Sequence, residues 1–275
     1  MKDFKNRNRE KPTFANINLQ GICNFKCFFC IGNEIEDETR NYLNVHFNEW
    51  KNFKEYLKLC KENDIKKIYL TGQNTDPLLY KYLDEIIEYL KSEGFEVGIR
   101  TNGVLTLKNL EAINKINDKV SISIHTLNEN TLEKITGVKL NIDWDKIINS
   151  IKVPLRIALV VNRYNKDEVL DTIKYLSKFK NISYIQLRCI ATDNYYEYFK
   201  EDIDDFLKLS EYIDKKFKYK KSFYTSKIYE IYGKEVSLWR TISTTINSFN
   251  YFTNGIISDD YFIVEGYNKG KKEGN

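Results

Sequence analysis

Short apolar-rich runs recur along the chain at residues 14–19, 67–70, 95–100, 120–124, 154–161 and 182–189, and each reads as a strand. Between them, at 48–63, 79–93, 107–116, 128–136, 143–151 and 166–179, apolar positions return every three or four residues, the period of a helix face. In the first of these, Trp50, Phe53, Leu57 and Cys60 share one side, which makes Cys60 a core residue. Gly94 punctuates the end of the second, and Thr101-Asn102-Gly103 reads as a turn. Asn128 or Asn130 suits an N-cap. Six strands alternating with helices predict parallel βα units.

Polarity within the strands adds to this. Ala15, Ile17 and Leu19 alternate with Asn16, Asn18 and Gln20; Val120, Ile122 and Ile124 with Ser121, Ser123 and His125; Ile185, Leu187 and Cys189 with Gln186 and Arg188. More weakly, Ile68 and Leu70 oppose Tyr69 and Thr71, and Val97 and Ile99 oppose Arg100 and Asn102. Doubly wound sheets are covered on both faces and read as unbroken apolar runs, and a closed eight-strand barrel fills its interior with branched residues. Here one face must meet the helices and the other a wet interior. The expected fold is an α/β, partial (β/α)6 TIM-like barrel, open around a ligand-filled lumen.

Past Cys189 the character changes. Residues 203–217 read as an amphipathic helix, and from Tyr219 on the chain is rich in Tyr, Phe, Ser, Thr and Asn. Residues 246–252, Ile256 with Ile257, and 261–264 read as short strands, with Asn254-Gly255 and Asp259-Asp260 as turns and a frayed tail over 268–275. The expected organisation is an extension over 1–13, the barrel over 14–200, and a helix plus short strands over 201–275 as an aromatic-rich C-terminal cap.

Composition narrows the class. The chain has 275 residues, 42% hydrophobic and 30% charged, with a net charge of +4, too mild to imply nucleic acid. The amino-terminal residues lack the apolar core of a secretion signal, and no run approaches a membrane span. Five cysteines, an odd count without such a signal, argue against disulfides and for a cytoplasmic location. Glu34, Glu36, Asp37 and Glu38 form an acidic run expected to be solvated surface.

Three of those cysteines fall together, directly after the first strand, as Cys23-x3-Cys27-x2-Cys30 with Phe29 before the last. Thiolates suit zinc or iron–sulfur clusters. A structural zinc site takes four ligands, usually as two pairs, yet no fourth follows, and Cys60 and Cys189 are distant and solitary. Three ligands on one loop suit a cubane with one iron left open. A non-enzymatic zinc protein is the alternative, expected to be colourless.

This motif resembles the signature of the radical S-adenosylmethionine (SAM) superfamily, whose partial barrel is the architecture expected above. The resemblance, covering residues 14–191, implies a [4Fe–4S] cluster on Cys23, Cys27 and Cys30, with SAM on the open iron. Reductive cleavage of SAM then yields a 5′-deoxyadenosyl radical that abstracts hydrogen from a substrate. An electron donor such as flavodoxin or ferredoxin is implied as partner. The cysteines are too few for an auxiliary cluster.

Further stretches extend the resemblance. Thr71-Gly72 and Asp76-Pro77 look like the family's Gly-Gly-Glu-Pro motif at the SAM amino group, with Gln73-Asn74-Thr75 interposed. This suggests Gly72, Gln73 and Asp76 as SAM contacts; a plain strand-to-helix turn is the other reading. Thr101 and Asn102 are similar to residues near the SAM ribose. Ser121-Ile-Ser-Ile-His125 resembles a Ser-Leu-Asp pattern in the branch holding the molybdenum-cofactor enzyme acting on GTP; Ser123 matches the serine and His125 replaces the acid.

By the same resemblance Arg156, on the fifth strand, is expected to meet the SAM carboxylate. With Arg100 and Arg188 in the same lumen, one carboxylate cannot satisfy three guanidinium groups. Arg100 and Arg188 are therefore expected to serve an anionic small-molecule substrate such as a nucleotide, the other reading being pairs with Asp or Glu from loops. His125 is expected to donate a proton to substrate or bind it, the other reading being a structural cap. A ribosomal peptide laid along the strand-forming tail is the runner-up. A nucleic-acid binder lacks a clustered basic and aromatic surface.

Overall fold

A computed structural model describes residues 10–35, 41–192 and 194–273. The strands in chain order are β1 (Phe14–Gln20), β2 (Lys67–Gln73), β3 (Glu96–Thr101), β4 (Val120–Ser123), β5 (Leu155–Val160), β6 (Ile182–Arg188), β7 (Lys218–Phe223), β8 (Ser226–Ile231), β9 (Lys234–Trp239), β10 (Ser248–Phe252) and β11 (Ile257–Ser258). The α-helices are α1 (Phe53–Glu62), α2 (Leu83–Ser92), α3 (Leu110–Asn114), α4 (Glu129–Thr136), α5 (Trp144–Ser150), α6 (Val169–Leu176), α7 (Lys200–Lys216) and α8 (Ile263–Glu273). All six strands and all seven helices expected from the periodicity up to residue 217 are present. Among the described residues no helix is long and apolar enough to cross a membrane.

The chain forms two compact units. The first comprises Glu10–Asn24, Cys30–Val120 and the residues from Ile246 on. Here β1, β2 and β3 lie side by side and parallel, β10 runs parallel along the other side of β1, and β11 runs antiparallel to β10. Ala15, Ile17, Leu19, Ile68, Leu70, Val97 and Ile99 are fully buried, each side chain the size of Leu or Ile contributing about 1.5–3 kcal/mol. The opposite face of β1 is polar and buried as well. Asn16 Nδ2 donates to Asn250 Oδ1 at 2.9 Å, and Asn18 Nδ2 donates to the Tyr251 carbonyl at 3.2 Å. The C-terminal Ser and Asn residues thus complete hydrogen bonds that the polar set of β1 requires once buried.

Several expectations need correction in this unit. The strand expected at 261–264 is the start of α8, entered through an Asx turn in which Asp260 Oδ1 accepts the Phe262 N–H at 2.9 Å. The tail expected to fray is helical as far as Glu273. Gly270 in it marks a packing face, shared with Gly266 one turn earlier: a Cβ at Gly266 would stand 2.4 Å from Ser258 Oγ, and one at Gly270 2.6 Å from Ile256 Cγ2. Val264 and Tyr267 close a cluster with Ile35 and Phe252. Glu34, expected in solvent, is buried in a short 3-10 helix; Glu36, Asp37 and Glu38 lie outside the described residues. Helix α1 begins at Phe53 rather than 48 because Asn52 adopts left-handed φ (60°).

The second unit comprises Phe25–Phe29 and Ser121–Thr245. Strands β5 and β6 are parallel, and Ile124 N–H donates to the Ala158 carbonyl at 3.0 Å, setting the end of β4 beside β5. Strand β9 adds in parallel to β6, and β8 and β7 follow as antiparallel neighbours. These three strands were not anticipated, although 226–231 and 234–239 alternate around the turn Tyr232-Gly233. Both turn residues have positive φ (50° and 77°), the requirement of a tight hairpin.

Candidate active site

In the first unit the end of β1 delivers Cys23, and the chain re-enters the unit at Cys30. The loops after β2 and β3 pack against the start of this passage. Thr75 Oγ1 donates to the Ile22 carbonyl at 3.1 Å, and Asn102 Nδ2 to Asn24 Oδ1 at 2.7 Å, one residue past Cys23. Burial pushes the Cys30 thiol up, while backbone hydrogen bonds from Gly32, Asn33 and Asn74 pull it back towards thiolate. Such donors suit a metal-bound thiolate, whose charge they share.

Asp76 is 3% exposed. Its carboxylate accepts the Leu78 N–H at 2.9 Å, the Thr101 hydroxyl at 2.8 Å and the Asn102 N–H at 2.6 Å. Burial raises its pKa, and those donors oppose the rise. The side chain therefore fixes the turn after β3 against the loop after β2.

Gly72 shows how tightly that loop is wound. A Cβ there would lie 1.8 Å from the Thr75 carbonyl oxygen. Gly72→Ala is expected to cost about 2–3 kcal/mol or more, because backbone must move rather than a rotamer. Thermal unfolding alongside SAM titration checks this; wild-type values in both would show that the loop yields freely. The winding leaves Gln73 Oε1 and Asn74 Oδ1 buried without hydrogen-bond partners. Two unpaired acceptors beside the cysteine passage fit an ammonium group, which offers three donors.

Arg100, also in this unit, donates from Nη1 to Asn16 Oδ1 at 3.0 Å, and its guanidinium lies 4.6 Å from the centre of the Tyr69 ring and 5.4 Å from that of Phe14. Stacking and an amide partner are among the contacts that hold it.

In the second unit the segment carrying Cys27 is docked on the end of α4. Lys26 N–H donates to the Thr136 carbonyl at 2.8 Å, and Phe28 N–H to that of Ile135 at 3.2 Å, which satisfies carbonyls a helix terminus leaves open. The Phe29 ring meets His125 edge-on at 5.2 Å. His125 Nδ1 accepts the Val160 N–H at 3.1 Å, so Nε2 carries the proton of the neutral ring. Burial foremost, then the charge of Arg188, push its pKa down to about 4, and the imidazole is neutral at pH 7.

The strand register separates the two arginines here. Arg156 pairs with Tyr184 on β6, and Val160 with Arg188. Tyr184 and Arg188 are four positions apart, about 13 Å along a strand. Arg188 therefore stands at the His125 end, its Nη2 donating to Thr241 Oγ1 at 3.3 Å, and Arg156 stands lower, its Nε donating to Ser121 Oγ at 2.8 Å. Ser123 lies between these levels on β4, on the same face. Sequence reading missed Ser237, which sits beside Gln186 with its Oγ buried and without a hydrogen-bond partner; parallel pairing of β9 with β6 was the unseen condition.

Among the described residues, no three His, Cys, Asp or Glu side chains converge as ligands of one ion. A cubane makes a different demand, since each thiolate binds its own iron.

Parallel βα units, with three cysteines in the segment after the first strand and two unpartnered acceptors at the end of β2, define an α/β protein built to carry a cysteine-ligated cluster. Residues 17–213 match the radical SAM superfamily. The chain belongs to that superfamily, whose enzymes use a [4Fe–4S] cluster and SAM, and whose partial-barrel fold agrees with the elements observed. Proteins of Saccharolobus islandicus and Saccharolobus solfataricus, each described as "Probable GTP 3′,8-cyclase", are 34% identical over 212 residues. That match covers 72% of this chain, which spans 64% of the length of those relatives. The structure of Streptococcus suis SuiB bound to S-adenosylmethionine has a TM-score of 0.63 at 15% identity, covering 90% of this chain and 60% of that one, a likeness of fold alone.

Proposed function

We propose that the chain is a cytoplasmic enzyme that cleaves SAM reductively and directs the radical at an anionic small molecule of the nucleotide class. Cys23, Cys27 and Cys30 hold the cluster, which, when bound, supplies the electron that releases methionine and a 5′-deoxyadenosyl radical from SAM. The observation that carries the cofactor assignment is the pair of buried, unpartnered acceptors Gln73 Oε1 and Asn74 Oδ1 in the loop that also donates to Cys30. Gln73 would accept from the SAM ammonium, with Gly72 as its neighbour in the same turn. Asp76 acts one step back, orienting Thr101 and Asn102 for the ribose.

From the second unit, Phe29, Ser123 and Arg188 serve the cofactor, and Arg188 grips the carboxylate. The support for Arg188 is its level on the strands: it shares the His125 end with Phe29, the neighbour of Cys30. Arg156, four residues lower and hydrogen-bonded to Ser121, is left for the substrate's anionic group, and His125 Nε2–H for a substrate oxygen. Cys60 and Cys189 are buried thiols pushed up to about 12 and take no part.

The name of the relatives points to a purine nucleoside triphosphate as the first substrate to try. Anaerobically reconstituted protein with dithionite and SAM should release 5′-deoxyadenosine slowly alone and at least tenfold faster with GTP or ATP. Methylthioadenosine or S-adenosylhomocysteine as the only product would refute the radical chemistry, and indifference to every nucleotide would refute the substrate class. The same chemistry on a ribosomal peptide is the second reading. It is favoured by β7, whose six residues are all exposed at the edge of the second unit's sheet.

A further inference from the structure

Arg163 lies just past β5 and Asp202 in the first turn of α7. Asp202 is fully buried, and its carboxylate is paired with Arg163. Its Oδ1 accepts the Arg163 backbone N–H at 2.6 Å and Nε at 3.1 Å; its Oδ2 accepts Nε at 3.0 Å and Nη2 at 2.5 Å. Nη2 also donates to the Tyr198 carbonyl at 2.9 Å. A guanidinium held by two atoms of one carboxylate cannot pivot.

What that rigid fork faces is the cysteine segment. The Arg163 Cζ stands 5.8 Å from the centre of the Phe28 ring and 5.0 Å from that of Tyr198. Phe28 is further enclosed by Tyr164 at 5.4 Å and Phe199 at 6.0 Å, and it touches Phe29 at 5.1 Å. Its own amide is tied to α4. Phe28 follows Cys27 directly, so the clamp on its ring and backbone fixes where Cys27 can place its sulfur.

We propose that Arg163 and Asp202 are positioning residues for the cluster: together they lock Phe28, and through it Cys27, while keeping the charge beside this ligand balanced. If the pair only fastened α7 to the loop after β5, a well-packed apolar pair would serve at lower desolvation cost. Groups behind the ligands orient them and tune reduction potential, and losing one typically costs 10–100-fold in metal affinity.

The test uses the full chain reconstituted with iron and sulfide, without SAM, comparing Asp202→Asn, Arg163→Gln, the double variant and Phe28→Leu. The readouts are the midpoint potential of the cluster and the rate of iron loss to a chelator. Asp202→Asn leaves a cation unbalanced and should raise the potential; Arg163→Gln leaves an anion unbalanced and should lower it. Both should lose iron roughly tenfold faster or more. The double variant should return the potential to the wild-type value while still losing iron quickly. Phe28→Leu, which keeps the charge pair, should speed iron loss without moving the potential as either charge variant does. Should a single charge variant fail to fold, the double variant and Phe28→Leu decide. Shifts of the same sign in both charge variants, or wild-type iron retention in the double variant and Phe28→Leu, would overturn the proposal.

Discussion

Cys27→Ala should yield a colourless protein that takes up almost no iron, where the wild-type chain reconstitutes to brown with about four irons and four sulfides. Cys23→Ala and Cys30→Ala should behave alike, since a cubane with one open iron has no spare ligand. Cys60→Ala and Cys189→Ala should keep the full cluster. Cys60 is fully buried on α1 and Cys189 nearly so at the end of β6, and burial pushes both thiols up to about 12, far from the thiolate a metal needs. Iron and sulfide analysis with visible spectra on all five variants is the measurement. Full cluster retention in Cys27→Ala, or its loss in Cys60→Ala, would show that the ligand set has been misread.

Arg188→Ala and Arg156→Ala should separate cofactor from substrate. Removing one partner of a buried hydrogen-bonded charge pair costs on the order of 2–5 kcal/mol, or roughly 30- to several-thousand-fold in affinity. Arg188→Ala should lose SAM affinity by that factor, and Arg188→Lys should lose much of it too, because an ammonium keeps the charge without the planar fork. Arg156→Ala should bind SAM normally and retain slow, substrate-free 5′-deoxyadenosine release, while losing the acceleration by nucleotide. Sequence reading assigned these roles the other way round. The register argues for the exchange, since Arg188 and not Arg156 shares a level with His125 and Phe29. SAM titration and 5′-deoxyadenosine release, with an intact cluster confirmed first, decide between the two. If Arg156→Ala loses SAM as badly as Arg188→Ala, both arginines serve the cofactor and the anionic substrate loses its support.

Much of this protein was legible before any coordinates. Cys23-x3-Cys27-x2-Cys30 with Phe29 needs no tertiary information, because the ligands come from one loop whose spacing is their chemistry. The alternation of Asn16, Asn18 and Gln20 with Ala15, Ile17 and Leu19 likewise announced a buried polar face, since period-two patterning is a direct consequence of strand geometry. Six strands and their helices followed from the same local physics, with boundary errors where Asn52 turned left-handed or a cap shifted a start.

The misses share a cause. Gly270 looks like part of a fraying tail until Ile256 is seen packed against it. That Asp76 orients the turn after β3 becomes visible only once Thr101, at the end of β3, and Asn102, just past it, are seen hydrogen-bonded to its carboxylate. Ser237 carries no signal by itself and becomes notable only through its place beside Gln186.

The sequence by itself determined the cluster motif, the βα alternation and the polar strand faces, because each depends on residues a few positions apart. Only the tertiary structure decided which buried polar groups are satisfied and which still lack a partner. It also decided at what height along neighbouring strands Arg156 and Arg188 stand, and that Arg163 and Asp202 brace Phe28. Those are properties of register and of contacts between residues far apart in the chain, and periodicity carries no information about either.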